Sequence, residues 1–218
     1  ISPSFVEVLR IFILFKTVNR HIIVILFFLL LLGITTPFYA SSSVSFKTMI
    51  GQSIIWGIPT TESSLSFLNS DPDFILGGYY FYGKKKRPMA YFSARIQELK
   101  TVHIPYFWGI DHEGGWVNRF SDFPFTPSQR FLADYNNCAT TYLVALEIGK
   151  RLTQIGFNLT FSPVLDTMNP QSSLLSRRTF GRDVDRIIRQ GLCYANGLDG
   201  AGILATAKHF PGHGSSET

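Results

Sequence analysis

Cysteine is scarce in this chain: Cys138 and Cys193 are the only two among 218 residues. Neither has a Cys-x-x-Cys partner or histidines at metal-ligand spacing, which excludes a zinc ribbon, a dithiol redox motif and a disulfide-dense scaffold. Both fall in segments of helical periodicity. Two small buried side chains are the expectation there, with a single bridge as the alternative for an exported domain. Charge is also sparse, at 16% of residues, and the formal net charge of +5 is scattered along the chain. The one run of like charge, Lys84-Lys85-Lys86-Arg87, follows an aromatic segment and reads as a solvated loop, so nucleic acid is not an expected partner. Internal repeats are absent, which excludes solenoids and propellers.

Long apolar runs are confined to one place. Ile22–Leu32 is unbroken, is extended by Gly33 and Ile34, and stops near Pro37. Lys16, Arg20 and His21 precede it and Ala40 to Ser43 follow it, the layout of a signal peptide. The run is short for a span of roughly 20 residues. Extending it back to residue 11 would bury Lys16 and Arg20 in the bilayer. Residues 1–43 are therefore expected to be a signal peptide or an uncleaved anchor, with membrane contact limited to residues 11–34. Localisation follows: exported, periplasmic or extracellular, or tethered by this segment. No cysteine follows the run, so a lipid anchor is not expected.

Beyond Ser43, short apolar runs alternate with amphipathic stretches. Met49–Ile58, Phe74–Tyr82, Ile104–Ile110, Asn158–Leu165 and Ile203–His209 read as strands. Pro88–Lys100, Gln129–Ile155 and Asp183–Gly200 read as helices, with Gly156 placed as a stop. Such alternation predicts an α/β fold with a mainly parallel sheet. Polar residues stand at strand ends: Asp111, Asp166, Lys208 and His209. In a (β/α)8 barrel the reaction site lies at those ends, and about five strands would make an incomplete barrel over residues 44–218.

Three constellations carry chemistry. Asp111 and Glu113 lie two apart at a strand end, on one face and about 7 Å apart. They could form a glycosidase carboxylate pair, or one could cap the following glycine turn or pair with Arg119. His209 and His213 have the i, i+4 spacing of a helical metal site, but Pro211 and Gly212 between them break any helix. No metal and no cofactor is expected. A strand feeding that turn instead aims Lys208 and His209 at a ligand, and an ammonium group suits sugar hydroxyls. Arg178, in the polar loop, offers a fork for hydroxyl or carbonyl oxygens.

Taken together, these segments resemble family 3 glycoside hydrolases, in the bacterial β-N-acetylglucosaminidase branch. The matching pieces are IGQ at Ile50–Gln52, GIDHEGGWVNRF at Gly109–Phe120, FSPVLD at Phe161–Asp166, RTFGRD at Arg178–Asp183 and KHFPGHG at Lys208–Gly214. The resemblance implies a TIM barrel that binds a terminal N-acetylhexosamine of a cell-wall or other amino-sugar glycan and hydrolyses its glycosidic bond. By position, Asp111, Arg119, Arg178, Lys208 and His209 match the family's sugar-binding residues. Its acid/base histidine and nucleophilic aspartate are expected beyond Thr218, so no residue here matches a catalytic one. Asp111 and Glu113 then belong to binding and turn geometry. A relic of a disrupted gene or a non-catalytic sugar-binding protein is the alternative. His112 and Trp116 depart from the family pattern, which has Gln and Arg there.

Overall fold

The computed structural model describes residues 44–61, 74–100, 106–168 and 174–213. The apolar run at 22–32 and its expected export role lie outside them. Among the described residues no helix is long and apolar enough to cross a membrane.

Helix α1 spans Phe46–Gln52, started by Ser45, whose hydroxyl accepts from the Thr48 amide at 3.1 Å. That cap satisfies a donor the first turn leaves unpaired, so Met49 and Ile50 belong to a helix. The predicted first strand is corrected to its second half, β1 at Ile55–Pro59. Strand β2 is Gly78–Tyr82, α2 is Met89–Lys100, and β3 is Phe107–Ile110.

The predicted helix Gln129–Ile155 is two helices, α3 (Gln129–Tyr135) and α4 (Cys138–Ile155). Asn136 ends α3 with φ 52, and the Asn137 side chain caps α4 by accepting from the Thr140 amide. Asparagine tolerates the left-handed conformation and caps helices well; apolar periodicity alone does not register such a break. Gly156, φ 113, closes α4 as expected. Strand β4 is Leu159–Thr160, α5 is Val184–Asp199 with Asp183 as its cap, and β5 is Leu204–Ala205.

The two short strands are a further correction, because the sequence predicts eight and seven residues for them (158–165 and 203–209). Pro163 has no amide to donate, so regular pairing lapses. It resumes at a single bridge, Val164 to Lys208, where the Leu165 amide donates to the Lys208 carbonyl at 2.7 Å. The chain thus keeps its direction while losing its ladder.

All pairings between these strands are parallel, and the sheet order is β1-β2-β3-β4-β5. Strict chain order is that of a barrel wall, whereas a doubly wound sheet reverses order at its switch point. The core packs Ile58, Tyr79 and Phe81 of the sheet against Phe92, Ile96, Phe120 and Phe157. Behind β4 and β5, α4 and α5 pack closely, since a Cβ at Gly197 would strike the Tyr142 carbonyl. Cys138 and Cys193 join these two helices as a disulfide, with Cα atoms 5.6 Å apart. That corrects the expectation of two separate buried thiols.

Candidate functional site

The carboxyl-terminal ends of β3, β4 and β5 converge. Thr160 of β4 fixes the end of β3, its hydroxyl lying 3.0 Å from the Ile110 carbonyl and 3.2 Å from that of His112. Asp111 and Glu113 follow directly. Lys208 reaches both: its Nζ donates to Asp111 Oδ1 and to Glu113 Oε1, each at 2.5 Å. Each carboxylate also holds an arginine. Arg119 Nη2 donates to Asp111 Oδ2 at 2.6 Å, and Arg178 grips Glu113 through Nε at 2.8 Å and Nη2 at 2.7 Å. Two-point guanidinium–carboxylate contact fixes orientation as well as charge. The structure therefore unites four of the predicted residues, Asp111, Arg119, Arg178 and Lys208, in one network.

His209 lies beside it. Its Nδ1 and Asp166 Oδ2 are 2.6 Å apart, and Asp166 also accepts from the His209 and His213 amides. A carboxylate only accepts, so Nδ1 carries the proton, which leaves Nε2 as the ring atom not committed to Asp166. The peptide between Lys208 and His209 is cis. Asp166 stands among the polar strand ends of the sequence, but its hold on the whole 209–213 turn needs the coordinates. The central place of Glu113 is likewise absent from sequence spacing. It is 2% exposed, and its carbonyl accepts from the buried Tyr194 hydroxyl at 3.2 Å.

Electrostatics follow from this packing. Burial by itself would raise the Asp111 carboxyl, but the Lys208 ammonium and the Arg119 guanidinium outweigh it and hold it below the ordinary value. Burial likewise opposes ionisation of Asp166, and the His213 amide and His209 overcome it. The Glu113 hydrogen bonds raise Arg178 further despite its burial. Asp111 and Glu113 therefore face three cations, a balance that leaves hydrogen-bonding capacity of both kinds at the strand ends. Arg119 Nε is buried without a partner among the described residues. A polyhydroxyl ligand needs such mixed donors and acceptors.

His112 differs from its neighbours. It is fully buried between Phe120 and Phe123, with ring centroids 5.2 and 4.7 Å away, and neither ring nitrogen has a partner among the described residues. Burial, reinforced by the nearby Arg119 charge, pushes it down to about 3. Trp116 is 70% exposed, with the Arg177 guanidinium 4.4 Å from its ring centroid. Arg87, predicted as part of a solvated loop, instead donates from Nε to the Thr60 carbonyl at 2.9 Å and stacks on Tyr91; Lys84, Lys85 and Lys86 are exposed. Among the described residues, no group of three or more His, Cys, Asp or Glu side chains is placed to hold a metal.

Comparison with known proteins adds a family. Residues 74–218 match the family model described as the glycosyl hydrolase family 3 N-terminal domain. A β-hexosaminidase of Tolumonas auensis is 33% identical over 146 residues, covering 64% of this chain and 43% of that protein. One from Thiobacillus denitrificans is 33% identical over 157 residues, covering 66% and 42%. The chain thus spans less than half the length of these relatives. Among solved structures, a glycoside hydrolase family 3 β-N-acetylglucosaminidase from Paenibacillus sp. superposes with a TM-score of 0.71 at 28% identity, covering 79% of this chain and 35% of that one. With the family model matching about two thirds of the chain, in a parallel α/β sheet whose strand ends carry the charged network, the chain belongs to glycosyl hydrolase family 3.

Proposed function

We propose that this chain is the sugar-binding part of a β-N-acetylhexosaminidase that removes a terminal β-linked N-acetylhexosamine from a cell-wall or other amino-sugar glycan. The observation that carries the reading is the network in which Lys208 bridges Asp111 and Glu113 while Arg119 holds the other oxygen of Asp111 and Arg178 grips both oxygens of Glu113. Asp111, Arg119 and Lys208 supply acceptors and donors for the sugar hydroxyls, Arg178 is locked in place by Glu113, and His209 is oriented by Asp166. The general acid/base and nucleophile are assigned to residues beyond Thr218, as the resemblance implies.

The same reading treats residues 44–218 as part of a (β/α)8 barrel. Within the described residues β1 and β5 are each paired on one side only, and Ile55, Trp56 and Leu204 there are 37%, 43% and 50% exposed. Further strands between these edges would close the wall and remove both edges. Export, with residues 1–43 as signal or anchor, is supported by the Cys138–Cys193 disulfide, a bond that persists in oxidising compartments.

Turnover of 4-nitrophenyl β-N-acetylglucosaminide tests this assignment. The chain alone should show none above background, because general acid catalysis alone contributes about 10²–10⁴-fold. Extended by the C-terminal segment of a family relative, it should hydrolyse the glycoside and lose that activity on Asp111→Ala. Turnover by the unextended chain would contradict the division of labour.

A further inference from the structure

An open cleft of about 460 Å³ is lined by Lys86, Trp116, Phe125, Pro127, Ser128 and Phe131. Its aromatic rings stand out into solvent: Trp116 is 70%, Phe125 89% and Phe131 61% exposed. Large apolar side chains gathered and left uncovered mark a surface that meets a partner or a membrane. Fixed backbone presents them. The Gly115 amide donates to the Thr126 carbonyl at 2.9 Å, the Val117 amide donates to the Gly114 carbonyl at 3.2 Å, and the Arg177 guanidinium lies 4.4 Å from the Trp116 ring centroid. Residue 115 must be glycine, since a Cβ would crowd Ser128 at 2.6 Å and the backbone is left-handed.

The groups in the cleft that would read a particular peptide or sugar are already committed. Ser128 Oγ accepts from the Phe131 amide at 3.2 Å as the cap of α3, the Gly115 amide is spent on Thr126, and Pro127 has no amide to offer. What remains is apolar surface and positive charge. Lys86 lines the cleft, and Lys84 and Lys85 precede it in the same loop. All three are exposed, without an ion pair among the described residues. The described lining holds no acidic side chain. Asp122, in the loop that leads to Phe125, accepts from the Met89 amide at 2.8 Å, and Asp134 of α3 is paired with Arg130 at 3.0 Å. A second copy of this chain would set lysine against lysine, so the charge selects an anionic partner.

We propose that this face docks on an anionic lipid bilayer. Trp116, Phe125 and Phe131 enter the boundary between headgroups and acyl chains, and Lys84, Lys85 and Lys86 meet the acidic headgroups. Aromatic rings settle at that boundary, and basic side chains beside the surface are drawn to anionic lipid. Neither interaction asks for the directional hydrogen bonds that the cleft lacks. The contact is separate from the apolar run at 22–32 and does not rest on the sugar-binding reading.

Co-sedimentation of the full chain with vesicles tests the proposal, comparing phosphatidylcholine alone with an equal mixture of phosphatidylcholine and phosphatidylglycerol. The mixture should be bound at least about tenfold tighter, since each lysine at the surface strengthens binding about fivefold. Replacing all three lysines (Lys84→Gln, Lys85→Gln, Lys86→Gln) should abolish that gain. Trp116→Ala and Phe125→Ala should each weaken binding to the mixed vesicles several-fold. These side chains are exposed, so the variants keep the fold, which circular dichroism checks. Lipid brominated in its acyl chains should quench tryptophan fluorescence in the parent, and Trp116→Phe should lack that quenching. The apolar run at 22–32 is present in every variant, so any binding it contributes stays constant across them. Equal binding to both vesicle types, a preference for the mixture that survives loss of the lysines, or binding indifferent to both aromatic substitutions would overturn the proposal. The last of these would leave a plain anion-binding patch in its place.

Discussion

The strand ends and the α4–α5 layer are built on opposite principles. At the strand ends, two carboxylates and three cations are packed together, each charge compensated by a neighbour. In the helical layer, apolar side chains such as Ala145, Ile148, Leu152 and Leu198 are buried, and one disulfide ties the helices together. A buried ion pair contributes little net stability, yet removing one partner strands the other. Apolar burial stabilises in proportion to area and has no directional demand. The first region is therefore fragile to single changes, as the proposed ligand-binding role would require. The second carries the fold.

The largest expected effect tests that contrast. Glu113→Ala strips the partner from Arg178 and one of the two from Lys208, which are only 14% and 13% exposed. It should cost about 3–5 kcal/mol of unfolding free energy in urea titrations. Asp134→Ala, which breaks the surface pair with Arg130, should cost under about 1 kcal/mol. Similar losses in the two variants would dissolve the distinction between the regions.

Next in size is the disulfide. The bridge spans a sequence separation of 55 residues, so opening it with Cys138→Ser and Cys193→Ser should cost about 2–4 kcal/mol. Monosaccharide affinity, measured where the variant remains folded, should not move. A loss of affinity there would show that the layer and the site are coupled.

His112 gives the smallest effect and the sharpest pH signature. Its folded-state value of about 3 lies below the ordinary histidine value, so the unfolded chain takes up the proton first. Stability is then intact above about pH 6.5 and is lost as pH falls from there towards 3. Between pH 8 and pH 5 the loss from this residue should be about 2 kcal/mol. His112→Leu should remove that increment, and an unchanged pH dependence in the variant would contradict the burial of an unpartnered ring. Asp111 and Asp166 act in a lower window. Both are held below the ordinary carboxylate value, so their contribution is present above about pH 4 and is lost as acid protonates them in the fold.

Much of this architecture is legible in the sequence because it rests on local signals. Asp183 and Gly156 bracket helices through capping chemistry that needs no tertiary information. Asp111 and Lys208 at the strand ends, and Arg119 and Arg178 in the loops, could be named from their motifs. Other features depend on tertiary geometry. The Ser45 cap that places Ile50 in a helix is local as well, but the apolar residues that recur through Ile55 hide where that helix gives way to a strand. The contact between Glu113 and Arg178 spans 65 positions and forms only when the two loops meet. Pairing of Cys138 with Cys193 likewise requires α4 and α5 to lie side by side. The aromatic cage that leaves His112 without a partner is assembled from Phe120 and Phe123, whose ring positions no spacing rule supplies.

On the proposed function, the charged network at the strand ends is a receptor for a terminal N-acetylhexosamine. Calorimetric titration of the full chain with N-acetylglucosamine tests it most directly, set against glucose and against the Asp111→Asn variant. Expected are saturable one-to-one binding of N-acetylglucosamine, weaker binding of glucose, and a loss of at least about tenfold on Asp111→Asn, since hydrogen bonds to charged groups contribute about 1.5–3 kcal/mol. Binding that Asp111→Asn leaves untouched, or no binding by a folded chain, would contradict it.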